Sequence, residues 1–248
     1  MPECLPPAGI TMAPPDLITA LAWQETGRVK FEAVLGGLGQ DELTSASLLP
    51  GWSRAHVIGH VARNADALLN LLSWASTGIE RPMYADADAR QRDIEAAASQ
   101  PAPQLRADLL AASERYSAAT DGMSRAAWDS HVRTAQGRRI RAAEVPWLRA
   151  RELWVHAVDL RAGLRFEDLP ADILVALLDD ATATLTARKT AGLQLTDPAG
   201  QTWTIPGNDP LVLHGNPAAL AAYLLRGLRE GRLGSPGRRR IPDPPRWL

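Results

Sequence analysis

The texture of the chain changes near residue 164, from helical sequence alone to helical sequence mixed with alternating segments, and this limits the fold more than any other feature. Before that point apolar residues recur at three- and four-residue spacing, as one face of a helix requires. Beyond it stands GLQLTDPAGQTWTIPG, where apolar and polar residues alternate as on a half-buried strand. The 248 residues are 46% hydrophobic, enough for a sizeable core in one large domain or two modest ones. The pattern predicts an α+β protein with a helical bundle over residues 15–164 and a small α/β domain over residues 165–248. Residues 1–14 read as a disordered, Pro-rich leader.

Within the bundle, a first helix is expected over residues 16–38, with Leu17, Leu21, Val29, Val34 and Leu38 along its apolar stripe. Pro50 and Gly51 mark a turn, Ser53 is a natural N-cap, and a second helix should run to about Trp74 through Val57, Val61, Leu68 and Leu72. Residues 81–86 read as a loop. A third helix begins near Asp86 and breaks around Pro101 and Pro103, and a fourth spans Leu105 to about Ala119. Residues 121–144 read as irregular, with a turn over Thr134–Arg139. The last helix of the bundle begins near Pro146, an acceptable first helical position, and ends near Gly163. In the second domain a helix over residues 168–188 precedes two strands joined by the turn Asp197–Gly200. A short apolar segment, Leu211–Leu213, and a helix from about Asn216 to Arg229 follow, and the tail from Gly231 should be extended.

Charged residues make up 22% of the chain and nearly cancel to a net charge of -1, so no nucleic-acid partner is expected. The basic run Arg238–Arg240 lies in the Pro-rich tail and reads as a solvated end. No apolar run approaches the roughly 20 residues of a membrane span, and MPECLPPAGI lacks the basic start and apolar middle of a signal peptide. A cytoplasmic location is expected. The single cysteine, Cys4, excludes an intrachain disulfide and any zinc site built from several cysteines. Thiol chemistry would have to draw its sulfur from a small molecule. The bias towards Ala and Arg suggests a GC-rich bacterial genome.

The chain has five histidines: His56, His60, His131, His156 and His214. Glu152 and His156 stand four apart on one predicted helix, so both side chains share a face and could grip one cation. The plain alternative is an exposed helix pair. His56 and His60 stand one turn apart on the second helix, and either could supply a third ligand; spacing does not choose between them. Three protein ligands with an open fourth position describe a catalytic zinc site, and helical bundles build such sites from inward-facing residues. Asp159 could orient His156, or pair with Arg161 or Arg165. Arg90 could hold a carboxylate, and Arg226 and Arg229 lie on the last helix, where a solvated face is the ordinary reading. The eight tryptophans read as packing. No Gly-rich phosphate loop, Gly-x-Ser-x-Gly elbow or His-Glu-x-x-His motif is present.

LPGWSRAHVIGHVARNADAL closely resembles the second-helix signature of the mycothiol-dependent maleylpyruvate isomerases. VPWLRARELWVHAVDL resembles their metal helix, and YADADARQRDIEAAA the segment between. The resemblance spans nearly the whole chain. It implies a DinB-like four-helix bundle followed by a small α/β domain similar to sterol carrier proteins. It also implies Zn2+, or another divalent metal, on His60, Glu152 and His156, which favours His60 over His56. The substrate-side arginine of the family falls on Arg90. A functional arginine of the C-terminal helix falls in AAYLLRGLREG, which departs from the usual pattern; Arg226 is the first choice and Arg229 the second.

The implied reaction turns maleylpyruvate into fumarylpyruvate. A mycothiol thiolate adds reversibly, the cis double bond becomes single, rotation follows, and elimination completes the isomerisation. Zinc would bind the sulfur and lower its pKa, while the arginines hold carboxylates and stabilise the enolate. The same bundle also fits a mycothiol S-transferase acting on another electrophile, and a non-enzymatic binding or regulatory protein. The expected partners of the enzyme are a small-molecule thiol and a small electrophilic substrate, and mycothiol implies an actinobacterial source. Oligomeric state is not legible.

Overall fold

The computed structural model describes residues 14–237 and 241–247. The expected leader, with Cys4, lies outside the described residues apart from Pro14, as does the basic run Arg238–Arg240. Contacts divide the chain into two compact units, Pro15–Arg165 and one built on the residues from Phe166 onward.

The first unit is helical. Helix α1 spans Leu17–Gly36, and the Asp16 carboxylate caps it by accepting from Thr19 N at 3.1 Å. Helix α2 spans Arg54–Thr77; Ser53 Oγ accepts from His56 N and His56 Nδ1 accepts from Ser53 N, a reciprocal cap that satisfies two otherwise orphaned donors. Gly78, with φ 73°, ends α2 in the left-handed conformation that favours glycine. Helices α3 (Ala89–Ala98), α4 (Ala102–Asp121), α5 (Arg125–Asp129) and α6 (Val145–Asp159) follow. The long helices pack as a four-helix bundle, α1 against α6 and α2 against α4 and α6, with α3 lying on α2. Val57, Ile58, Val61, Leu68 and Leu72 of α2 are buried in the common core, each large side chain worth about 1.5–3 kcal/mol.

The expected stripe of the first helix holds at Leu17, Leu21, Val34 and Leu38, which lie in or against the core, but not at Val29. Val29 is 53% exposed, whereas Ala20, Gln24, Gly27, Phe31 and Leu35 are buried. The helices α1 and α6 meet so closely that a Cβ at Gly27 would stand 2.9 Å from Trp154 Nε1. Close approach selects small residues there, and hydropathy does not register them.

Residues 121–144 are more regular than expected. They hold α5 and a hairpin of β1 (His131–Arg133) and β2 (Arg139–Arg141), paired antiparallel. The expected turn lies between them, with Thr134 N donating to Arg138 O at 2.9 Å. Three-residue strands are too short for a period to show. Helix α3 starts at Ala89 rather than Asp86, because the Asp86 carboxylate accepts from Asp88 N and Ala89 N ahead of it. Helix α4 starts at Ala102, with Pro103 in its first turn. Helix α6 stops at Asp159, short of Gly163, and Arg161 then takes φ 49°.

In the second unit α7 spans Ala171–Ala187, and β3 (Leu193–Thr196), β4 (Thr202–Ile205) and β5 (Leu211–His214) form one sheet in the order β4-β3-β5. β3 and β4 make the expected antiparallel hairpin, and the apolar segment after it becomes β5, parallel to β3. Helix α8 spans Pro217–Arg226 and packs on α7. It ends before Arg229 because Gly227, with φ 69°, caps it. The described tail is extended and pinned down: Gly234 bridges His214, and Tyr223 Oη donates to Pro242 O at 3.0 Å. No helix among the described residues is long and apolar enough to cross a membrane.

Candidate metal centre

Helices α2 and α6 bring three of the expected residues together. His60 comes from the middle of α2, and Glu152 and His156 from successive turns of α6. Their exposures are 4%, 9% and 7%. His60 Nε2 lies 2.9 Å from Glu152 Oε2, and His156 Nε2 lies 3.1 Å from the same oxygen. The two imidazoles stand nearly perpendicular, 4.7 Å between centroids. One donor atom from each residue lies within 4.8 Å of the others, and no other group of three such residues converges this way among the described residues.

The surroundings prepare these groups as ligands. His156 Nδ1 donates to Asp159 Oδ2 at 2.7 Å, and Asp159 is fully buried. This bond places the ring proton on Nδ1 and leaves the Nε2 lone pair facing the cluster. Burial lowers the His60 pKa to about 4 against the pull of Glu152, so the ring is neutral at pH 7. Burial alone would raise the Glu152 pKa, but contacts with His156 and His60 outweigh it and hold the carboxyl well below its ordinary value. For His156, burial pulls downward and is outweighed by Asp159 and Glu152, so its pKa is raised. Two imidazole nitrogens and a carboxylate, buried and convergent, form a donor set that fits zinc or another divalent transition metal.

Arg90, in the first turn of α3, reaches this cluster. Its Nη2 lies 3.4 Å from His60 Nδ1, and its guanidinium sits 6.0 Å from the Trp52 ring centroid. Trp52 meets His60 edge-on at 5.6 Å and stacks on His56 at 6.2 Å. Tyr84, in the loop before α3, also faces this region: burial raises its pKa, and Arg90 and Glu152 are among the charges that act on it. Trp52 packs against the core, as expected of the tryptophans, and also borders the cluster; positions 52, 56 and 60 share a four-residue spacing. Tyr84 left no signal, since its loop has no period.

His56 is absent from the cluster. Its Nδ1 serves the α2 cap and its Nε2 lies 3.1 Å from Glu95 Oε2 of α3. His131 and His214 are exposed on β1 and β5. Arg226 belongs to the second unit, in the last turn of α8, where its Nη1 donates to Leu225 O at 2.7 Å. Arg229 lies beyond that helix and is engaged by the tail, at 2.6 Å from Asp243 Oδ1 and 3.0 Å from Ile241 O.

Comparison with known proteins agrees with this architecture. Residues 25–161 match the family described as the mycothiol maleylpyruvate isomerase N-terminal domain. A crystal structure of the mycothiol-dependent maleylpyruvate isomerase superposes with a TM-score of 0.89 at 37% identity, covering 95% of this chain and 100% of that one. A crystal structure of a histidine-to-alanine mutant of the mycothiol-dependent maleylpyruvate isomerase gives the same TM-score and coverage at 36% identity. Among curated proteins none matches significantly. With the family match spanning more than half of the chain and the structural likeness nearly all of it, this protein is an enzyme that belongs to the mycothiol-dependent maleylpyruvate isomerase family.

Proposed function

We propose that the protein is a zinc- and mycothiol-dependent cis-trans isomerase that converts maleylpyruvate to fumarylpyruvate. The observation that carries this reading is the buried triad of His60, Glu152 and His156, whose donor atoms face one another beneath Arg90 and Trp52. His60, Glu152 and His156 would hold the metal, which would lower the pKa of a bound thiol and so supply a sulfur nucleophile for reversible addition at neutral pH.

The chain's own residues set the conditions. Asp159 holds His156 in the tautomer that offers Nε2, and burial keeps His60 unprotonated. Arg90 presents a planar cation beside the triad, suited to a substrate carboxylate and to negative charge developing on the adjacent carbonyl. Arg226 is proposed as the second substrate arginine, the first choice that the family resemblance gives. Trp52 covers one side of His60, meeting it edge-on. Cys4 is proposed to take no part, since it lies far in sequence from every proposed ligand. A reducing cytoplasm suits such a thiol-dependent reaction.

The test is purified protein with zinc and mycothiol, assayed on maleylpyruvate with products followed by mass spectrometry. Fumarylpyruvate should form with mycothiol recovered unchanged, Cys4→Ser should turn over at the full rate, and omission of thiol should abolish activity. A product that retains mycothiol would assign an S-transferase instead. Thiol-free turnover lost in Cys4→Ser would overturn the cofactor assignment.

A further inference from the structure

The largest fully buried side chain among the described residues is a cation. Arg149, on α6, is 1% exposed, and none of its hydrogen bonds goes to a carboxylate. Burying a charge without an ionic partner is expensive, and an apolar side chain of similar volume would ordinarily serve the core better. Burial lowers the Arg149 pKa to about 10, which still leaves it charged at neutral pH.

Its bonds indicate what the charge achieves. Nη1 donates to Val61 O at 2.7 Å and to Asn64 Oδ1 at 3.0 Å, both on α2. Nη2 donates to Ser113 Oγ on α4 at 3.4 Å, and the guanidinium lies 5.8 Å from the ring of Tyr116, also on α4. Tyr116 Oη in turn donates to Gln24 Oε1 on α1 at 3.0 Å. One side chain of α6 thus ties α2 and α4 directly and α1 through Tyr116. The Val61 carbonyl lies mid-helix, and its second lone pair can accept this bond without releasing the helical one.

The tie sits close to the donors. Val61 follows His60, and Arg149 precedes Glu152 by three residues, about one turn. His60 and Glu152 come from different helices, and their meeting depends on how far apart α2 and α6 stand and in what register. Metal–ligand distances tolerate only about 0.2 Å. We propose that Arg149 is a positioning residue for the metal centre: it locks α2 and α6 in the separation and register at which His60 and Glu152 converge. This rests on the metal reading of the triad.

The experiment compares full-length wild type with Arg149→Met, Arg149→Lys and Asn64→Ala. Zinc affinity is measured by chelator competition, the visible spectrum with cobalt in place of zinc, and the melting temperature without metal. In Arg149→Met zinc affinity should fall by about tenfold or more, on the scale of other lost supporting contacts, and the cobalt bands should shift. Arg149→Lys should recover part of both, and Asn64→Ala should move both the same way by less. A lower melting temperature in Arg149→Met with unchanged zinc affinity and cobalt spectrum overturns the proposal, leaving Arg149 a core residue only. Should Arg149→Met not fold, an unchanged affinity and spectrum in Asn64→Ala overturns it equally. A wild type that binds neither metal overturns the metal reading, and this proposal with it.

Discussion

His56 and His60 stand one turn apart on one helix and differ only in what faces them. His56 points its ring at Ser53 and Glu95, and His60 points at Glu152 and His156. His60→Ala should therefore lose most of the bound metal, measured by elemental analysis. His56→Ala should keep it while losing about 1 kcal/mol of stability with its share of the α2 cap. The same ligand set fixes the sign of the pH dependence. Raised above its ordinary 6.5, His156 holds its second proton further into the neutral range, and a metal on Nε2 must displace that proton. Apparent affinity should fall as pH drops through the raised value. His60, already neutral down to about pH 4, adds nothing to that loss over the same range. Chelator competition from pH 8 to 5 measures it, and a flat profile would speak against His156 as a ligand.

Between elements, the contact that bears most on the site is that of α2 with α3. A Cβ at Gly59 would stand 2.8 Å from Ala97 Cβ and 3.4 Å from Ala98 N and Ile94 O. Gly59 thus lets α3, with Arg90 in its first turn, lie directly on α2 beside His60. Gly59→Ala gains up to about 1 kcal/mol of helix propensity but overpacks this contact, at a cost of about 1–3 kcal/mol. A lower melting temperature is expected. Because Arg90 moves with α3, KM for the proposed substrate, maleylpyruvate, should rise more than kcat falls. Calorimetry and steady-state kinetics read the two effects separately.

For the whole molecule, the arrangement of residues predicts a division of labour. All three donors and every hydrogen-bond partner of Arg149 lie within Pro15–Arg165. That segment expressed alone should bind one equivalent of metal. Its turnover should fall by about 10–100-fold, because the proposed Arg226 contact, a charge-assisted bond worth about 1.5–3 kcal/mol, is missing. Metal stoichiometry and initial rates of the fragment test this, and a full rate without the second unit would remove Arg226 from the mechanism.

Much of this was legible in the linear chain because it is local. The cap at Ser53, the Asp197–Gly200 turn and the Glu152–His156 spacing each depend on residues a few positions apart. The alternating segments appear only beyond residue 164, among further helical stretches, and the α+β class follows from them. What faces what was another matter. His60 and Glu152 are 92 positions apart, and no spacing rule joins them; only the resemblance of their motifs to a known family singled out His60. The buried face of α1 runs through Gln24, which accepts from Tyr116 of α4, and Gly27, where α6 approaches too closely for a larger side chain. No spacing or motif sets Arg149 apart in the sequence, and only the packing of α2 and α4 around it buries it. Periodicity reports the hydropathy of a face, whereas close packing, helix separation and buried charge depend on partners that only the tertiary fold brings into contact.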